Sequence, residues 1–168
     1  MIQERLSSQS VQVFAAAATA PTALAAFDRT LQVGNVHDVN LVTLSSVIPP
    51  GTGVVRDHCE PGDLTVGDRL YCVRAVESAV EPGEQAWAGL AWALDRHARG
   101  GVFVEAHGHA EQQVRYELQQ SLMTLMADRS YWDFGAPDDE VVGITCKRDP
   151  VCALVMGIYQ ARSWQGGA

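Results

Sequence analysis

The order of the apolar segments along the chain is the feature that most constrains its fold. Two segments carry the apolar spacing of an amphipathic helix, one from Pro21 or Thr22 to Gly34 and one from Ala110 to Ala127. The other apolar segments are short and have strand composition, and they cover residues 11–14, 39–44, 70–79, 102–106, 140–146 and 152–158. Because helices and strands do not alternate regularly, this order predicts a layered α+β fold rather than a doubly wound parallel sheet.

Two further segments are harder to assign. Residues 84–99 favour a helix, because apolar side chains recur there at helical spacing, at Trp87, Leu90, Ala91 and Leu94. A buried strand is the alternative, since Trp and Leu also fill the faces of a sheet. Residues 51–69 are rich in Gly, Asp and Pro and are predicted to be a loop. The 168 residues fit a single domain, 1–168, and would be cramped as two cores.

The charge balance narrows the classes of partner. Twelve Lys and Arg residues against twenty Asp and Glu residues give a formal net charge of -8. This field repels phosphate backbones and anionic lipid, so we expect neither a nucleic acid nor a membrane partner, and a cationic small molecule suits it better. The chain contains no apolar run of the roughly 20 residues that a membrane span needs, and its first residues lack the basic region of a secretory signal. We therefore expect a cytoplasmic protein whose four cysteines are buried thiols.

A pair of adjacent serines marks the end of the strand predicted at 39–44. Ser45 and Ser46 are followed by Val-Ile-Pro-Pro-Gly, and two prolines with a glycine stop any regular element. A serine held in such a turn can attack the preceding carbonyl, which converts the amide to an ester. Elimination and hydrolysis then cut the chain and leave a pyruvoyl group. Adjacent serines before a proline turn are common, so the pair alone favours an ordinary turn.

The context of the serines resembles the pyruvoyl-dependent arginine decarboxylases. The resemblance is carried by residues 25–28 (Ala-Ala-Phe-Asp), 38–42 (Asp-Val-Asn-Leu-Val), 45–51 (Ser-Ser-Val-Ile-Pro-Pro-Gly), 101–105 (Gly-Val-Phe-Val-Glu) and the apolar segments of 140–164. It implies an αββα sandwich of four layers, assembled as a homotrimer with active sites between neighbouring subunits. It also implies decarboxylation of arginine to agmatine through a Schiff base on the pyruvoyl group, with neither pyridoxal phosphate nor a metal.

The resemblance also implies a role for individual residues. Ser45 and Ser46 correspond to the self-cleavage pair, which would give a small chain of residues 1–45 and a large chain of residues 46–168 that begins with the pyruvoyl group made from Ser46. Asn40 corresponds to an asparagine that supports processing and the site, and Glu105 to the glutamate that supplies the proton replacing carbon dioxide. The residues expected to bind the substrate are Asp28, which would pair with the guanidinium, and the apolar Leu24, Leu31 and Val47.

Chemistry supports two of these roles. A carboxylic acid that donates a proton needs a raised pKa, and the apolar residues 102–104 before Glu105 predict such surroundings. A guanidinium needs a fixed carboxylate, because its planar fork donates two parallel hydrogen bonds, and Asp28 on an apolar helix face could supply it.

The sequence departs from the family pattern where the substrate would bind. Residues 15–18 are four alanines in place of a glycine- and serine-rich segment, and Ala25 stands in place of an asparagine. Two alternatives therefore stay open: the same cofactor acting on a different amino acid of specialised metabolism, and an uncleaved homologue that serves as a scaffold or regulatory subunit.

One competing constellation contains potential metal ligands. Glu105, His107 and His109 alternate, which on a strand would place all three on one face, and His58 with Cys59 could join them. Gly108 between the two histidines favours a turn instead of a rigid ligand strand, so solvated histidines are the preferred interpretation.

Overall fold

The computed structural model describes residues 10–56 and 62–165. In chain order the elements are β1 (Ser10–Thr19), α1 (Ala23–Val33), β2 (Asn40–Thr43), β3 (Val47–Ile48), β4 (Gly53–Arg56), β5 (Arg69–Ala79), β6 (Gln85–Leu94), β7 (Gly101–Gly108), α2 (Glu111–Asp128), β8 (Asp138–Thr145) and β9 (Val151–Arg162).

Both predicted helices are confirmed to within about two residues. Helix α1 begins after Thr22, whose hydroxyl accepts a hydrogen bond from the amide of Ala25 at 3.1 Å. It ends at Gly34, which lies so close to the ring of Phe14 that a β-carbon there would approach the ring to 2.5 Å. Helix α2 buries one face, consisting of Val114, Leu118 and Leu122.

The strands form two sheets. The five-stranded sheet has the order β2-β5-β9-β1-β4, and the four-stranded sheet has the order β3-β7-β6-β8. In the first sheet, β9 runs antiparallel to both of its neighbours, while β2 is parallel to β5 and β4 is parallel to β1. All pairs in the second sheet are antiparallel.

Buried side chains on both faces of the sheets hold the elements together. Between the two sheets lies a core that includes Val13, Val73 and Val155 from one sheet and Leu90 and Phe103 from the other. A second cluster lies between α1 and the outer face of the five-stranded sheet, and a third lies between α2 and the outer face of the four-stranded sheet. The predicted α+β class is therefore confirmed, with each helix packed on a different sheet.

The interpretation of residues 84–99 as a helix is wrong, because residues 85–94 form the strand β6. This strand is buried on both faces: Ala88, Leu90 and Trp92 face the other sheet, while Ala91 and Ala93 face α2. A strand with no solvated face loses the alternation of polar and apolar residues, so its apolar spacing can resemble that of a helix.

The predicted loop at 51–69 is also corrected in part. Residues 53–56 form β4, a short edge strand parallel to β1, and the rest of the described segment is irregular apart from the start of β5 at Arg69. The described cysteines, Cys72, Cys146 and Cys152, are buried and free, as expected. Neither of the two helices in the described part of the chain is long and apolar enough to cross a membrane.

Candidate active site

The two serines lie where the chain crosses from one sheet to the other. Upstream, β2 belongs to the five-stranded sheet, and the amide of Leu44 still donates to the carbonyl of Cys72 at 2.9 Å. Downstream, β3 belongs to the four-stranded sheet, where Val47 is opposite Val102. Ser45 and Ser46 form the connection, so each side of the bond between them is anchored in a different sheet.

Ser46 has an unusual backbone conformation. Its φ is +66°, in the left-handed region that serine seldom adopts and that generally costs energy. Its hydroxyl donates a hydrogen bond to Oε1 of Glu105, and its carbonyl accepts one from the amide of Phe103 at 2.9 Å. The hydroxyl of Ser46 is therefore held against a carboxylate while its own backbone is strained.

A cleft of about 370 Å³ opens beside the serines. One wall comes from β7 and the other from the C-terminal half of α2. The residues that line it are Ser45, Ser46, Val47, Val102, Phe103, Val104, Glu105, Ser121, Leu125 and Arg129. The lining is thus half apolar and half polar, with one acidic and one basic side chain.

Two consecutive glycines allow β3 to approach β7. Gly100 has a φ of +130°, and a β-carbon on it would approach the carbonyl oxygen of Ile48 to 2.5 Å. A β-carbon on Gly101 would approach the carbonyl oxygen of Ala93 to 2.6 Å. The Gly-Gly dipeptide therefore permits close packing of the segment that follows Ser46.

A buried carboxylate fixes the loop that precedes these glycines. Asp95 accepts hydrogen bonds from the side chain of Arg99 and from the amides of His97, Arg99 and Asp133. The bonds from Arg99 and the amides hold the pKa of Asp95 well below its usual value, although burial opposes this. The same loop presents the carbonyl of Ala98, which accepts from the amide of Gly51 at 2.9 Å. Asp95 therefore helps to anchor the turn after β3.

Tyr159 is a site residue that the sequence interpretation missed. Its hydroxyl donates to the carbonyl of Val47 at 3.1 Å, and its ring lies 6.2 Å from that of Phe103. Burial, with a further contribution from the charge of Glu105, raises the pKa of the Tyr159 phenol, so the hydroxyl keeps its proton. A tyrosine at the polar end of the apolar strand β9 was the available signal.

The surroundings of Glu105 differ from the expectation. Residues 102–104 are buried, but the side chain of Glu105 itself is exposed in the single chain. Two residues further along β7, Nδ1 of His107 lies 2.8 Å from Oε2 of Glu77 on the other sheet. Although burial opposes it, this contact and the amide of Ser78 hold the pKa of Glu77 below its usual value. The apolar shelter predicted for Glu105 is thus absent from the single chain.

Asn40 does not line the cleft. It begins β2, and its side-chain amide donates to the carbonyl of Gly67 at 2.9 Å. At about 3.3 Å per strand residue, it lies on the order of 10 Å from Thr43 at the other end of β2, before the serines are reached.

Only one of the residues expected to bind the substrate side chain lines the cleft. Val47 lines the cleft, whereas Asp28, Leu24 and Leu31 lie on α1, which packs on the other sheet. Asp28 accepts a hydrogen bond from Gln32 at 2.8 Å, and Leu31 is buried beneath the helix. Leu24, in contrast, is 77% exposed. One chain alone therefore brings together Ser45, Ser46, Val47 and Glu105.

The histidines considered as metal ligands have other partners. His107 contacts Glu77, and Nδ1 of His109 lies 2.8 Å from the carbonyl oxygen of Gln85. Across residues 10–56 and 62–165, no group of three or more His, Cys, Asp or Glu side chains is arranged to hold a metal. His58 and Cys59 lie outside the described residues.

Comparison with known proteins finds relatives that match most of the chain. The profile of the family described as Pyruvoyl-dependent arginine decarboxylase (PvlArgDC) matches residues 10–160. The pyruvoyl-dependent arginine decarboxylase of Halobacterium salinarum is 33% identical over 141 residues, which are 83% of this chain and 87% of that protein. The enzyme of the same name from Thermococcus kodakarensis is 29% identical over 147 residues, 86% of this chain and 92% of that protein.

A solved structure of a pyruvoyl-dependent histidine decarboxylase at pH 8 aligns with a TM-score of 0.43 and 15% identity, over 60% of this chain and 52% of that one. The family assignment rests on the sequence matches, which cover most of the chain. The chain belongs to the pyruvoyl-dependent arginine decarboxylase family, a family of carboxy-lyases.

Proposed function

We propose that the chain cuts itself between Ser45 and Ser46 and then decarboxylates arginine to agmatine with the pyruvoyl group made from Ser46. The observation that carries the proposal is the state of Ser46, which has a positive φ and a hydroxyl hydrogen-bonded to Glu105. Attack of the Ser46 hydroxyl on the preceding carbonyl would be favoured by this backbone strain and by the adjacent carboxylate.

The proposed cleavage proceeds through an ester at residue 46. The Ser46 oxygen attacks the Ser45 carbonyl carbon, the bond to the Ser46 nitrogen breaks, and an ester forms. Loss of the α-proton of residue 46 then expels Ser45 as a carboxylate and leaves dehydroalanine, which water converts to the pyruvoyl group and ammonia. The carboxylate of Glu105 is the acceptor available for the hydroxyl proton. The strained torsion angle, φ of residue 46, includes the Ser46 nitrogen, so loss of that nitrogen also removes the strain.

The sheets support a stable product after cleavage. Strand β1 of the small chain pairs with β9 from Gln12 to Thr19, inside the five-stranded sheet. The new start of the large chain is held by β3 on β7 and by the hydroxyl of Tyr159. A four-layer αββα sandwich, which the packing of each helix on its own sheet supports, would therefore persist without the Ser45–Ser46 bond.

The chemistry at the reacting carbon follows from these surroundings. A pyruvoyl group supplies the electron sink for Schiff-base chemistry with an amine. Once the Ser46 hydroxyl is gone, the carboxyl group of Glu105 loses the hydrogen bond that it accepts from that hydroxyl. It then faces the cleft and is able to deliver a proton there. Its exposure in the single chain supports a site that a neighbouring copy closes, because a proton-donating acid needs shelter from water.

Recognition of the substrate also requires a neighbouring copy. Asp28 and Leu24 are accessible on α1 but far from the cleft of their own chain, so they would reach a cleft only from another copy. We therefore propose the homotrimer, with Asp28 of one copy pairing with a guanidinium bound beside Ser46 of the next. Asn40 would support processing from the same interface. A cytoplasmic location is the setting proposed for this enzyme.

Intact mass spectrometry of the purified protein tests the proposal. We expect two chains divided after Ser45, with the large chain lighter by one ammonia than plain hydrolysis would give. Ser46→Ala should give one uncut chain, because the attacking hydroxyl is absent. Glu105→Gln should still be cut, more slowly, and should decarboxylate arginine about 10²–10⁴ times more slowly.

The outcomes separate the alternatives. An uncut wild-type chain would contradict the proposal and favour the scaffold. Two fragments from Ser46→Ala would place the cut elsewhere. A cut enzyme that leaves arginine unchanged while decarboxylating another amino acid would keep the cofactor and replace the substrate.

A further inference from the structure

Arg129 is the basic side chain of the cleft, and none of the described acidic side chains pairs with it. It caps the C-terminus of α2, is half-buried, and donates from Nη1 to the carbonyl of Leu125 at 3.2 Å. Of the described carboxylates, none forms an ion pair with it, and this includes Glu105 in the same cleft. A guanidinium bound only to a neutral carbonyl of its own helix still has donors available for an anion.

We propose that Arg129 binds the carboxylate that self-cleavage creates at Ser45, an inference that rests on the proposed function. In the uncut chain Ser45 is a neutral peptide residue lining the same cleft as Arg129. When the ester is eliminated, Ser45 keeps both oxygens as the C-terminal carboxylate of the small chain. One new negative charge therefore appears in the cleft at the moment of cleavage.

The surroundings require that charge to be compensated. Half of the residues that line the cleft are apolar, and a carboxylate loses hydration next to them. The cleft already contains one acidic side chain, Glu105, and the chain as a whole carries a formal charge of -8. A guanidinium can meet a carboxylate with two parallel hydrogen bonds, which lysine cannot do. Pairing with Arg129 would keep the cut end in place and away from the group formed at residue 46.

The test compares Arg129→Gln in the cleaved protein with Arg129→Gln in the uncut Ser46→Ala background. Both backgrounds lack the Ser46 hydroxyl, so pairing of Arg129 with Glu105 would contribute equally to the two. We expect the melting temperature to fall roughly 2–4 °C more in the cleaved protein. Carboxypeptidase Y should also remove Ser45 from the small chain faster in cleaved Arg129→Gln than in the wild type, as read by mass spectrometry.

Arg148→Gln is the matched control, because Arg148 is exposed and lies outside the cleft, and it should shift both backgrounds equally. If the protein is cut but Arg129→Gln has the same effect in both backgrounds, the inference is wrong and the proposed function stands. A raised KM for arginine without the difference in melting temperature would assign Arg129 to the substrate carboxylate and overturn the inference. An uncut wild-type chain would overturn both.

Discussion

At the scale of single residues, the site depends on side chains that hold residue 46 as well as on those that react. Tyr159 donates to the carbonyl of Val47, the residue directly after Ser46. Because burial raises the pKa of its phenol, the donor is present throughout the working pH range. The ring is fixed by Phe103 in the core between the sheets. Tyr159 therefore positions the segment that directly follows Ser46.

Tyr159→Phe should separate positioning from folding. The substitution keeps the ring in the core but leaves the carbonyl of Val47 without its donor, so residue 46 is held less firmly. We expect complete cleavage, a melting temperature close to that of the wild type, and a kcat lower by about 10–100-fold with little change in KM. Steady-state kinetics on the cleaved enzyme make the measurement.

Tyr116→Phe serves as the control, because Tyr116 is exposed on α2 and should leave both constants unchanged. Equal kcat values for Tyr159→Phe and the wild type would remove Tyr159 from the site.

At the scale of elements, the loop between β6 and β7 connects the core to the segment that follows the proposed cleavage site. Asp95 holds the loop through Arg99 and backbone amides, and the loop in turn holds Gly51 through the carbonyl of Ala98. Since Gly51 follows the short strand β3, the position of that strand depends on a carboxylate more than forty residues away in the sequence.

Asp95→Asn should weaken this anchor. Asparagine keeps one accepting oxygen and replaces the other with a donating NH2 group, and the Arg99 guanidinium loses its counter-charge. We therefore expect a lower melting temperature at pH 7 and slower self-cleavage. The pKa of Asp95 is lower in the folded than in the unfolded state, so its stabilisation is complete above the unfolded value near 3.9 and is lost as the pH falls toward the folded value.

The difference in melting temperature between Asp95→Asn and the wild type should therefore shrink at low pH, for instance between pH 7 and pH 3. Asp128→Asn, at an exposed position at the end of α2, should show no such difference. A gap for Asp95→Asn that is equally large at both pH values would contradict the ionic origin of the anchor.

How much of the fold the sequence predicts depends on whether an element has a solvated face. Helix α2 has one, and its predicted bounds agree with the structure to within one residue. Strand β6 has none, and it was assigned to the wrong class. Strand β1 was predicted only at residues 11–14, because alanine favours helices, yet pairing with β9 extends it to Thr19.

The residues of the site also differ in how far the sequence predicts them. Ser45, Ser46 and Val47 are adjacent in sequence, and the family resemblance adds Glu105. Tyr159 is 112 residues from the carbonyl that it binds, and only the register of the sheets brings the two together. No spacing rule reveals such a contact in one sequence.

At the scale of the whole molecule, the two helices divide the proposed chemistry. Helix α2 borders the cleft with Ser46, while α1 with Asp28 covers the outer face of the other sheet. A single chain therefore has the group that would react and the group that would recognise a guanidinium on different layers. If Asp28 reads the substrate, it must act in the cleft of another copy, through a heterologous contact that closes into a ring.

Mixing two inactive variants tests this division. Ser46→Ala keeps Asp28 but cannot form the cofactor, while Asp28→Asn is cut but should bind arginine poorly, since the guanidinium loses its carboxylate. Co-expressed at equal levels and assembled at random, the two should place an intact Asp28 beside an intact cleft in about a quarter of the sites. We expect arginine decarboxylation to recover toward that fraction of the wild-type rate.

The control for this experiment pairs Ser46→Ala with Glu105→Gln. Both residues line the same cleft of one chain, so each chain of a mixed assembly still lacks one of them. Activity would recover only if Glu105 of one copy acted in the cleft of another. Recovery with Asp28→Asn and none with Glu105→Gln would establish that recognition crosses the interface while protonation does not. If neither pair recovers although mixed assemblies form, Asp28 works within its own chain or has no part in binding, and the acidic group that reads the substrate must be sought elsewhere on the surface.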